Sequence, residues 1–331
     1  MIKNAYISAT AHSVPKKLMT NQDLEKLVDT SDKWIQTRTG IKQRYTVDSK
    51  EATSDISTKI ALQLLEKREI SPDDLDLIIV GTITPDHFTP STAAIVQKNI
   101  KASNAWGYDL SAACSGFLFG LETGANFIAS GKYKKIMVIG IDVMTTILDY
   151  KDRDTCVIFG DGGGGVILEP CDKNYGIIDS ILHMDGNGVE YLNVPAGGSR
   201  LPASIESLKK RQHFVKQDGK TVYKYAVKGM ADVSKAILKK NNLSGDDVSL
   251  LIPHQANKRI IDAASNRCGI DPKKVIINIE NYGNTTAGTI PIALNEAFQS
   301  DYIQNGDLLL LSSFGAGFTW GSILIRWKLN D

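Results

Sequence analysis

The chain contains 331 residues, of which 42% are hydrophobic and 23% are charged, and its formal net charge at pH 7 is +1. Such values are typical of a globular protein with one large domain or two ordinary ones. The balanced charge excludes a global attraction to nucleic acid or to an anionic membrane, so any basic site must be local. The apolar stretch around Cys114 meets Glu122 too soon to span a bilayer.

The first residues and the cysteines predict a reducing location. Residues 1–5 (MIKNA) lack the apolar region of a secretory signal. The cysteines show no paired short spacing, which disfavours a zinc knuckle or a disulfide framework; they are Cys114, Cys156, Cys171 and Cys268. We therefore expect a cytoplasmic protein.

Helix-like and strand-like patterns alternate throughout the chain, which predicts an α/β fold. Residues 54–66 place their apolar side chains on one helical face, and residues 77–80 (LIIV) read as a buried strand. Gly116, Gly120 and Gly124 recur every four residues along a later helical pattern. Each costs about 1 kcal/mol relative to alanine inside a helix, so we expect a central helix with another backbone pressed against these glycines.

Two motifs return in the same order in the second half of the chain. Residues 71–79 (SPDDLDLII) resemble residues 244–252 (SGDDVSLLI). A Phe-Gly turn that leads into an apolar strand occurs at residues 159–162 (FGDG) and again at residues 314–317 (FGAG). Two repeated motifs in the same order indicate a duplicated half of roughly 150 residues.

We predict that the first half spans residues 1–173 and the second half residues 174–331. A polar segment at about residues 185–220, which contains several prolines, glycines and charges, reads as the connection between them. This segment is also a candidate for binding loops.

Cys114 is the candidate nucleophile of the first half. It lies between an apolar stretch (residues 106–110) and the small-residue helical pattern, and so at a predicted helix N-terminus. Free amides and the helix dipole there stabilise a thiolate, and the same amides can hold an oxyanion. A buried structural cysteine is an equally good interpretation of this position taken alone.

The second half supplies three further candidates. His254 (PHQAN) follows the apolar residues 250–252, at the strand end where α/β folds place their sites, although a core histidine fits too. Asn284 (YGNTTAGT) follows a predicted strand at residues 275–277 and reads either as a turn residue or as an amide donor. Residues 312–321 (SSFGAGFTWG) form a tight turn whose amides can serve as oxyanion donors.

Residues 160–165 (GDGGGG) match the spacing of the glycine motif that binds dinucleotides. That motif must open a helix, whereas here it runs into the apolar strand at residues 166–168. The nucleotide interpretation therefore fails.

The order of these motifs resembles the thiolase-like condensing enzymes, and within them the class III 3-oxoacyl-acyl-carrier-protein synthases. A further matching motif is at residues 30–41 (TSDKWIQTRTGI), and the resemblance covers nearly the whole chain. It implies a thiolase-like fold, in which two duplicated α/β halves form five αβαβα layers with mixed sheets.

The resemblance also implies a reaction. An acyl group moves from coenzyme A to Cys114, and malonyl-acyl-carrier protein then loses carbon dioxide and attacks the thioester. His254 and Asn284 are expected to hold the enolate oxygen, and the backbone amides of Cys114 and Ala316 the tetrahedral oxyanion. Most relatives carry glycine at the position of Ala316. No metal or redox cofactor is expected.

Binding residues follow from the same resemblance. Those expected to contact coenzyme A or the acyl group are Thr30, Trp34, Arg38, Arg153, Asn257, Thr89 and Phe314. Those expected to receive the carrier protein are Lys224, Arg259 and Arg267. Without the resemblance, Trp34 reads as a packing residue and the basic side chains as ordinary surface charge.

A homodimer is expected from the family, with Thr89 where many relatives place a phenylalanine that closes the partner's acyl pocket. The smaller threonine leaves room for primers longer than acetyl.

Three alternatives stay open: a related condensing enzyme of secondary metabolism, a thioester hydrolase, and an acyl-binding module without catalysis. The intact Cys, His and Asn set disfavours the module, and a hydrolase has little use for Asn284. Residues 312–321 lack the second cysteine of degradative thiolases, and elongating synthases carry a histidine where Asn284 lies.

Overall fold

The computed structural model describes residues 4–329. Two short segments lie outside the described part, residues 1–3 and residues 330–331. The first of them belongs to the segment used for the signal-peptide prediction. The strands are β1 (Asn4–Ser13), β2 (Lys17–Thr20), β3 (Gln43–Thr46), β4 (Leu77–Gly81), β5 (Trp106–Leu110), β6 (Ile136–Val143), β7 (Asp161–Cys171), β8 (Gly176–Met184), β9 (Leu192–Asn193), β10 (Lys216–Gln217), β11 (Leu250–Pro253), β12 (Leu308–Gly315) and β13 (Thr319–Arg326). The helices are α1 (Asn21–Glu25), α2 (Asp32–Thr39), α3 (Thr53–Arg68), α4 (Thr92–Ile100), α5 (Gly116–Ala129), α6 (Arg153–Cys156), α7 (Ile205–Lys209), α8 (Gly219–Lys240), α9 (Lys258–Cys268), α10 (Ile279–Tyr282) and α11 (Thr289–Gln299).

The two large sheets repeat one topology. The first has the strand order β1-β7-β6-β4-β5, with β4 parallel to β5 and β6, and with β7 antiparallel to β6 and β1. The second has the order β11-β12-β13-β8, with β11 parallel to β12 and β13 antiparallel to β12 and β8. Since the two recurring motifs run into β4 and β11, which occupy equivalent places in the two sheets, the predicted duplication is confirmed.

The sheets and helices form five layers, as the resemblance implied. Helices α3 and α4 cover the outer face of the first sheet, α5 and α11 lie between the sheets, and α8 and α9 cover the second sheet. The largest buried cluster joins the inner faces of both sheets to α5 and α11. Each fully buried aliphatic side chain there contributes about 1.5–3 kcal/mol, so α5 is held rigidly at the centre.

The glycines of α5 fit the predicted close packing in part. A Cβ built on Gly81 of β4 lies 2.8 Å from the carbonyl carbon of Gly116, so two backbones do meet at the start of α5. A Cβ on Gly120 or Gly124 instead meets a side chain, Val138 or Leu168, at 2.8 Å. The prediction of a backbone along the whole stripe is therefore correct only at its first residue.

The predicted strand at residues 275–277 reduces to a single bridge between Val275 and Leu251. The side chain of Gln255 takes the place of further strand pairing. Its Nε2 donates to the Ile276 carbonyl at 3.1 Å, and its Oε1 accepts from the Asn278 amide at 3.1 Å. The predicted helix at 54–66 and strand at 77–80 correspond to α3 and β4. Across residues 4–329, none of the helices combines the length and apolar character needed to cross a bilayer.

Candidate active site

A cavity of about 710 Å³ opens between the two halves and brings together the main predicted site residues. Cys114 comes from the first half, whereas His254, Asn284 and Phe314 come from the second. These four side chains are buried, while Trp34 and Arg38 line the same cavity with partly or fully exposed side chains. The cavity therefore runs from a basic, aromatic mouth to a buried inner end.

Cys114 lies in a tight turn, Ala113–Ser115, that leads directly into α5. Ala113 adopts a left-handed φ of 47°, and no side chain caps α5, so the sequence-based placement of Cys114 at a helix N-terminus is correct. The turn is fixed to the second half because the Ser313 hydroxyl donates to the Cys114 carbonyl at 2.9 Å. The Ser115 hydroxyl donates to the Thr319 carbonyl at 3.2 Å.

The ionisation of Cys114 differs from the expectation of a thiolate. Burial in a dry environment and, to a smaller extent, the nearby Asp142 carboxylate together raise the pKa of its thiol to about 12. The amide of Cys114 acts in the opposite direction but does not compensate. The resting side chain is therefore a neutral thiol.

His254 follows β11, and its backbone amide donates to the Ser312 carbonyl at 2.8 Å, which extends the sheet by one residue. Its Nδ1 lies 2.7 Å from the Thr289 hydroxyl oxygen. Burial lowers the pKa of the imidazole to about 3, so the ring is neutral at physiological pH. Because Nδ1 is occupied by Thr289, Nε2 is the nitrogen available to the cavity.

Asn284 is held by its backbone on both sides. Its amide donates to the Ile158 carbonyl at 3.0 Å, and its carbonyl accepts from the Gly160 amide at 3.1 Å. Its side-chain Oδ1 accepts from the Thr286 amide at 2.8 Å, which leaves Nδ2 as the group that can donate into the cavity. The turn interpretation and the donor interpretation of Asn284 are thus compatible.

Asp142, at the end of β6, was not singled out from the sequence. Its Oδ1 accepts from the hydroxyls of Thr82 and Thr84, each at 2.9 Å, and from the Ile83 amide at 2.8 Å. Its Oδ2 accepts from the Thr286 hydroxyl. The only signal in the sequence is an aspartate inside the apolar run of residues 136–143 (IMVIGIDV). This carboxylate ties the loop that carries Asn284 to the first half.

The hairpin between β12 and β13 packs against the turn that contains Cys114. A Cβ built on Gly315 lies 2.8 Å from the Cys114 backbone nitrogen, so the hairpin abuts this amide. The Thr319 hydroxyl lies 3.0 Å from the Ala112 carbonyl oxygen and 3.2 Å from the Ala316 carbonyl oxygen. The turn that contains Ala316 is therefore held against the turn that contains Cys114.

Two arginines flank the indole of Trp34 at the mouth of the cavity. The guanidinium carbons of Arg38 and Arg153 lie 5.7 and 4.9 Å from the ring centroid. Arg153 also donates to the Asp29 carbonyl at 3.2 Å. Asn257 caps α9 through its Oδ1 and donates through Nδ2 to the Arg38 carbonyl at 3.0 Å. These contacts place two positive charges close to a flat aromatic ring.

The remaining predicted residues lie away from the inner end of the cavity. Arg259 lines the cavity and lies 5.5 Å above the ring of Tyr223. Lys224 and Arg267 are exposed on α8 and α9. Thr89 is exposed on the loop after β4, and Thr30 is half-buried with a hydroxyl that has no partner in the described part. Neither threonine lines the cavity of the single chain.

No group of three or more metal-binding His, Cys, Asp or Glu side chains occurs within residues 4–329.

Comparison with known proteins gives concordant matches over the chain. The family 3-oxoacyl-[acyl-carrier-protein (ACP)] synthase III matches residues 108–186, and its C-terminal counterpart matches residues 238–327. A beta-ketoacyl-[acyl-carrier-protein] synthase III from Chlorobaculum tepidum is 55% identical over 327 residues, covering 98% of this chain and 99% of that protein. The crystal structure of 3-oxoacyl-[acyl-carrier-protein] synthase III from Aquifex aeolicus has a TM-score of 0.90 at 40% identity, covering 98% of this chain and 100% of the other. The corresponding protein from Thermus thermophilus has a TM-score of 0.91 at 38% identity, with coverages of 98% and 100%.

Proposed function

Because the chain belongs to the 3-oxoacyl-[acyl-carrier-protein] synthase III family, we propose that it starts fatty acid synthesis by joining an acyl-coenzyme A primer to malonyl-acyl-carrier protein. The products are 3-oxoacyl-acyl-carrier protein, carbon dioxide and free coenzyme A. The observation that carries this proposal is the presence of Cys114, His254 and Asn284 in one cavity with an arginine-flanked indole at its mouth.

In the first step, the Cys114 sulfur attacks the thioester carbonyl of the primer, and the carbon–sulfur bond to coenzyme A breaks. The proton of the Cys114 thiol leaves with coenzyme A, which departs as a thiol. The tetrahedral oxyanion accepts hydrogen bonds from the backbone amides of Cys114 and Ala316, as the contact between their turns supports. Because the resting thiol has a raised pKa, these donors and the α5 N-terminus act mainly on the transition state.

In the second step, malonyl-acyl-carrier protein loses carbon dioxide, and the enolate carbon attacks the acyl group on Cys114. The carbon–sulfur bond to Cys114 then breaks, and the released Cys114 sulfur takes a proton from solvent to become a thiol again. The enolate oxygen accepts hydrogen bonds from Asn284 Nδ2 and from His254 Nε2. Two neutral donors suit this task because the buried imidazole does not ionise at physiological pH. Phe314, which packs on Phe318 at 4.9 Å, supplies an apolar wall that disfavours the malonyl carboxylate. Neither step needs a metal or a redox cofactor.

The mouth of the cavity is proposed to bind coenzyme A. The adenine stacks on Trp34 between Arg38 and Arg153, which meet the phosphates, and Asn257 lies along the path of the pantetheine arm. Thr30 belongs to this group by resemblance. The acidic carrier protein is proposed to meet Lys224, Arg259 and Arg267 on α8 and α9.

We propose a homodimer that forms along β5. This strand pairs only with β4 in the described part, and Trp106 on it is 44% exposed within a cluster of aromatic rings, Trp106, Tyr108, Phe127 and Tyr133. Phe88, on the loop with Thr89, is 91% exposed. An interface here covers the open strand edge and carries Thr89 to the partner's acyl pocket.

The organisation of the chain supports two further parts of the proposal. Strands β1, β4, β5, β6 and β7 build the first sheet, and β8 begins the second, which agrees with halves of residues 1–173 and 174–331. The segment at about residues 185–220 contributes Leu192, Gln217 and Lys220 to the cavity wall, as expected for a binding loop.

The four cysteines are free, which supports a cytoplasmic location.

The decisive assay incubates the protein with acetyl-coenzyme A and malonyl-acyl-carrier protein and identifies the products by mass spectrometry. We expect 3-oxobutyryl-acyl-carrier protein. Free acetate in its place indicates a thioester hydrolase. Condensation only with an acceptor other than carrier protein indicates a related enzyme of secondary metabolism.

A panel of straight and branched acyl-coenzyme A primers then tests whether Thr89 admits chains longer than acetyl. Turnover that collapses for every primer beyond acetyl counts against that role.

A further inference from the structure

We propose that Thr289 is a positioning residue for His254. Its hydroxyl donates to Nδ1 of the imidazole and thereby holds the tautomer whose proton is on Nε2, the nitrogen that faces the cavity. This inference rests on the proposed role of His254 as a hydrogen-bond donor to the enolate oxygen.

The need for such a residue follows from the chemistry of a neutral imidazole. A neutral ring carries one N–H, so it can donate into the cavity from Nε2 only if Nδ1 is an acceptor. Nδ1 therefore requires a donor as its partner. In the described part of the chain, its one hydrogen-bond partner is the Thr289 hydroxyl, at 2.7 Å.

The Thr289 hydroxyl has a second neighbour, the Thr286 carbonyl oxygen at 3.1 Å. A hydroxyl has a single proton, so it donates to one of the two. If it donated to Thr286, Nδ1 would carry the imidazole proton and Nε2 would present a lone pair, which can accept the Cys114 proton but cannot donate to an enolate.

Two observations favour donation to Nδ1. The contact with Nδ1 is the shorter of the two. The Thr286 carbonyl also already accepts a hydrogen bond from the backbone amide of Thr289, so it does not depend on the hydroxyl. Nδ1 has no such second partner within residues 4–329. The hydroxyl is therefore required by His254 and dispensable for the turn.

The experiment compares Thr289→Val, which keeps the shape and removes the hydroxyl, with Thr289→Ser, which keeps the hydroxyl. Thr285→Val is the matched control, because the Thr285 hydroxyl is buried in the same turn and has no hydrogen-bond partner there. Each variant is measured for acetylation of Cys114 from acetyl-coenzyme A and for release of carbon dioxide from malonyl-acyl-carrier protein.

We expect Thr289→Val to acetylate Cys114 at close to the normal rate and to lose decarboxylation by roughly 10- to 100-fold, the range known for partners that orient metal-bound imidazoles. Thr289→Ser should recover most of this loss, and Thr285→Val should keep both rates. A loss of acetylation with decarboxylation retained would overturn the proposal, since it indicates the opposite tautomer. Equal losses in Thr289→Val and Thr285→Val would also overturn it.

A spectroscopic measurement on the unmodified protein is independent of substrates and of folding in the variants. Nitrogen-15 NMR of histidine-labelled protein distinguishes a protonated from an unprotonated ring nitrogen, and His254→Ala identifies the signals. We expect a protonated Nε2 and an unprotonated Nδ1; the reverse assignment would refute the role of Thr289. If the tautomer is as expected but no 3-oxobutyryl product forms, the proposed function fails while the positioning by Thr289 stands.

Discussion

Replacing Gly315 with alanine tests the oxyanion site directly. Gly315 is the last residue of β12, and a Cβ built on it lies 2.8 Å from the Cys114 amide nitrogen and 3.2 Å from that of Ser115. A methyl group at that distance cannot be accommodated without movement of one of the two turns. The amide of Cys114 is then displaced or shielded from the oxyanion.

The expected effect of Gly315→Ala is a slower acylation of Cys114. Loss of one oxyanion donor costs about 2.7–4 kcal/mol of the barrier, which corresponds to roughly 100- to 1,000-fold in rate. Overpacking in a buried region also lowers the free energy of unfolding, by about 1–3 kcal/mol. Rapid-quench mass spectrometry of the acetyl-enzyme measures the first quantity, and denaturant unfolding measures the second.

Gly321→Ala is the control for stability alone. Gly321 pairs with Ser313 in the same hairpin, but a Cβ on it meets Leu182 Cδ2 at 2.4 Å and the Ile181 carbonyl oxygen at 2.9 Å, on the side away from Cys114. This variant should lose stability and keep its acylation rate per folded molecule. If folded Gly315→Ala acylates as fast as the unmodified protein, the Cys114 amide is not an oxyanion donor and the reasoning is wrong.

Three further predictions concern the steps of the reaction. Cys114→Ala should abolish acyl transfer, whereas His254→Ala and Asn284→Ala should still form the acyl-enzyme but lose decarboxylation by at least roughly 100-fold; retained condensation in either of the last two refutes their assigned role. The rate of alkylation of Cys114 by iodoacetamide should rise about tenfold per pH unit across pH 7–10 without reaching a plateau. The reason is that a thiol with a pKa of about 12 is protonated throughout this range. A plateau below pH 9, measured with Cys114→Ala as the blank, would show a thiolate instead. Trp34→Ala should raise the KM for acetyl-coenzyme A by roughly 10-fold through loss of base stacking. The KM for acetyl-pantetheine, which lacks the adenine, should not change. Equal increases in KM with both substrates would place Trp34 outside the nucleotide site.

The fold was predictable because its signals are local. Continuous apolar runs such as residues 77–80 need no knowledge of the rest of the chain, and the recurring motifs reveal the duplication before either sheet is assembled. The strand expected at residues 275–277 failed for a reason that is not local. After one backbone bond from the Ile276 amide to the Leu251 carbonyl, the next hydrogen bonds are made by the Gln255 side chain, whose position depends on how the turn after β11 packs.

The sequence pointed to side chains that the fold brings into one cavity, whereas their electrostatics were not predictable from it. A helix N-terminus is visible in the sequence and predicts a lowered thiol pKa, but burial depends on both sheets and both central helices and outweighs it at Cys114. Asp142 was missed for the same reason. An aspartate in an apolar run carries no sign of its partners, which come from the loop after β4 and from the turn after Asn284.

The duplication explains why the proposed catalytic groups meet. The turn before α5 (residues 113–115) and the turn before α11 (residues 286–288) are equivalent in the two halves, and each begins with a left-handed residue, Ala113 at φ 47° and Thr286 at φ 51°. The two turns contact each other at the centre of the molecule, and Asp142 fixes the second to the first sheet. One copy of the turn therefore presents a sulfur and its amide, while the other presents the carboxamide of Asn284 and, through Thr289, the imidazole of His254. Neither half contains all of these groups, so the cavity that holds them is built only where the two halves meet.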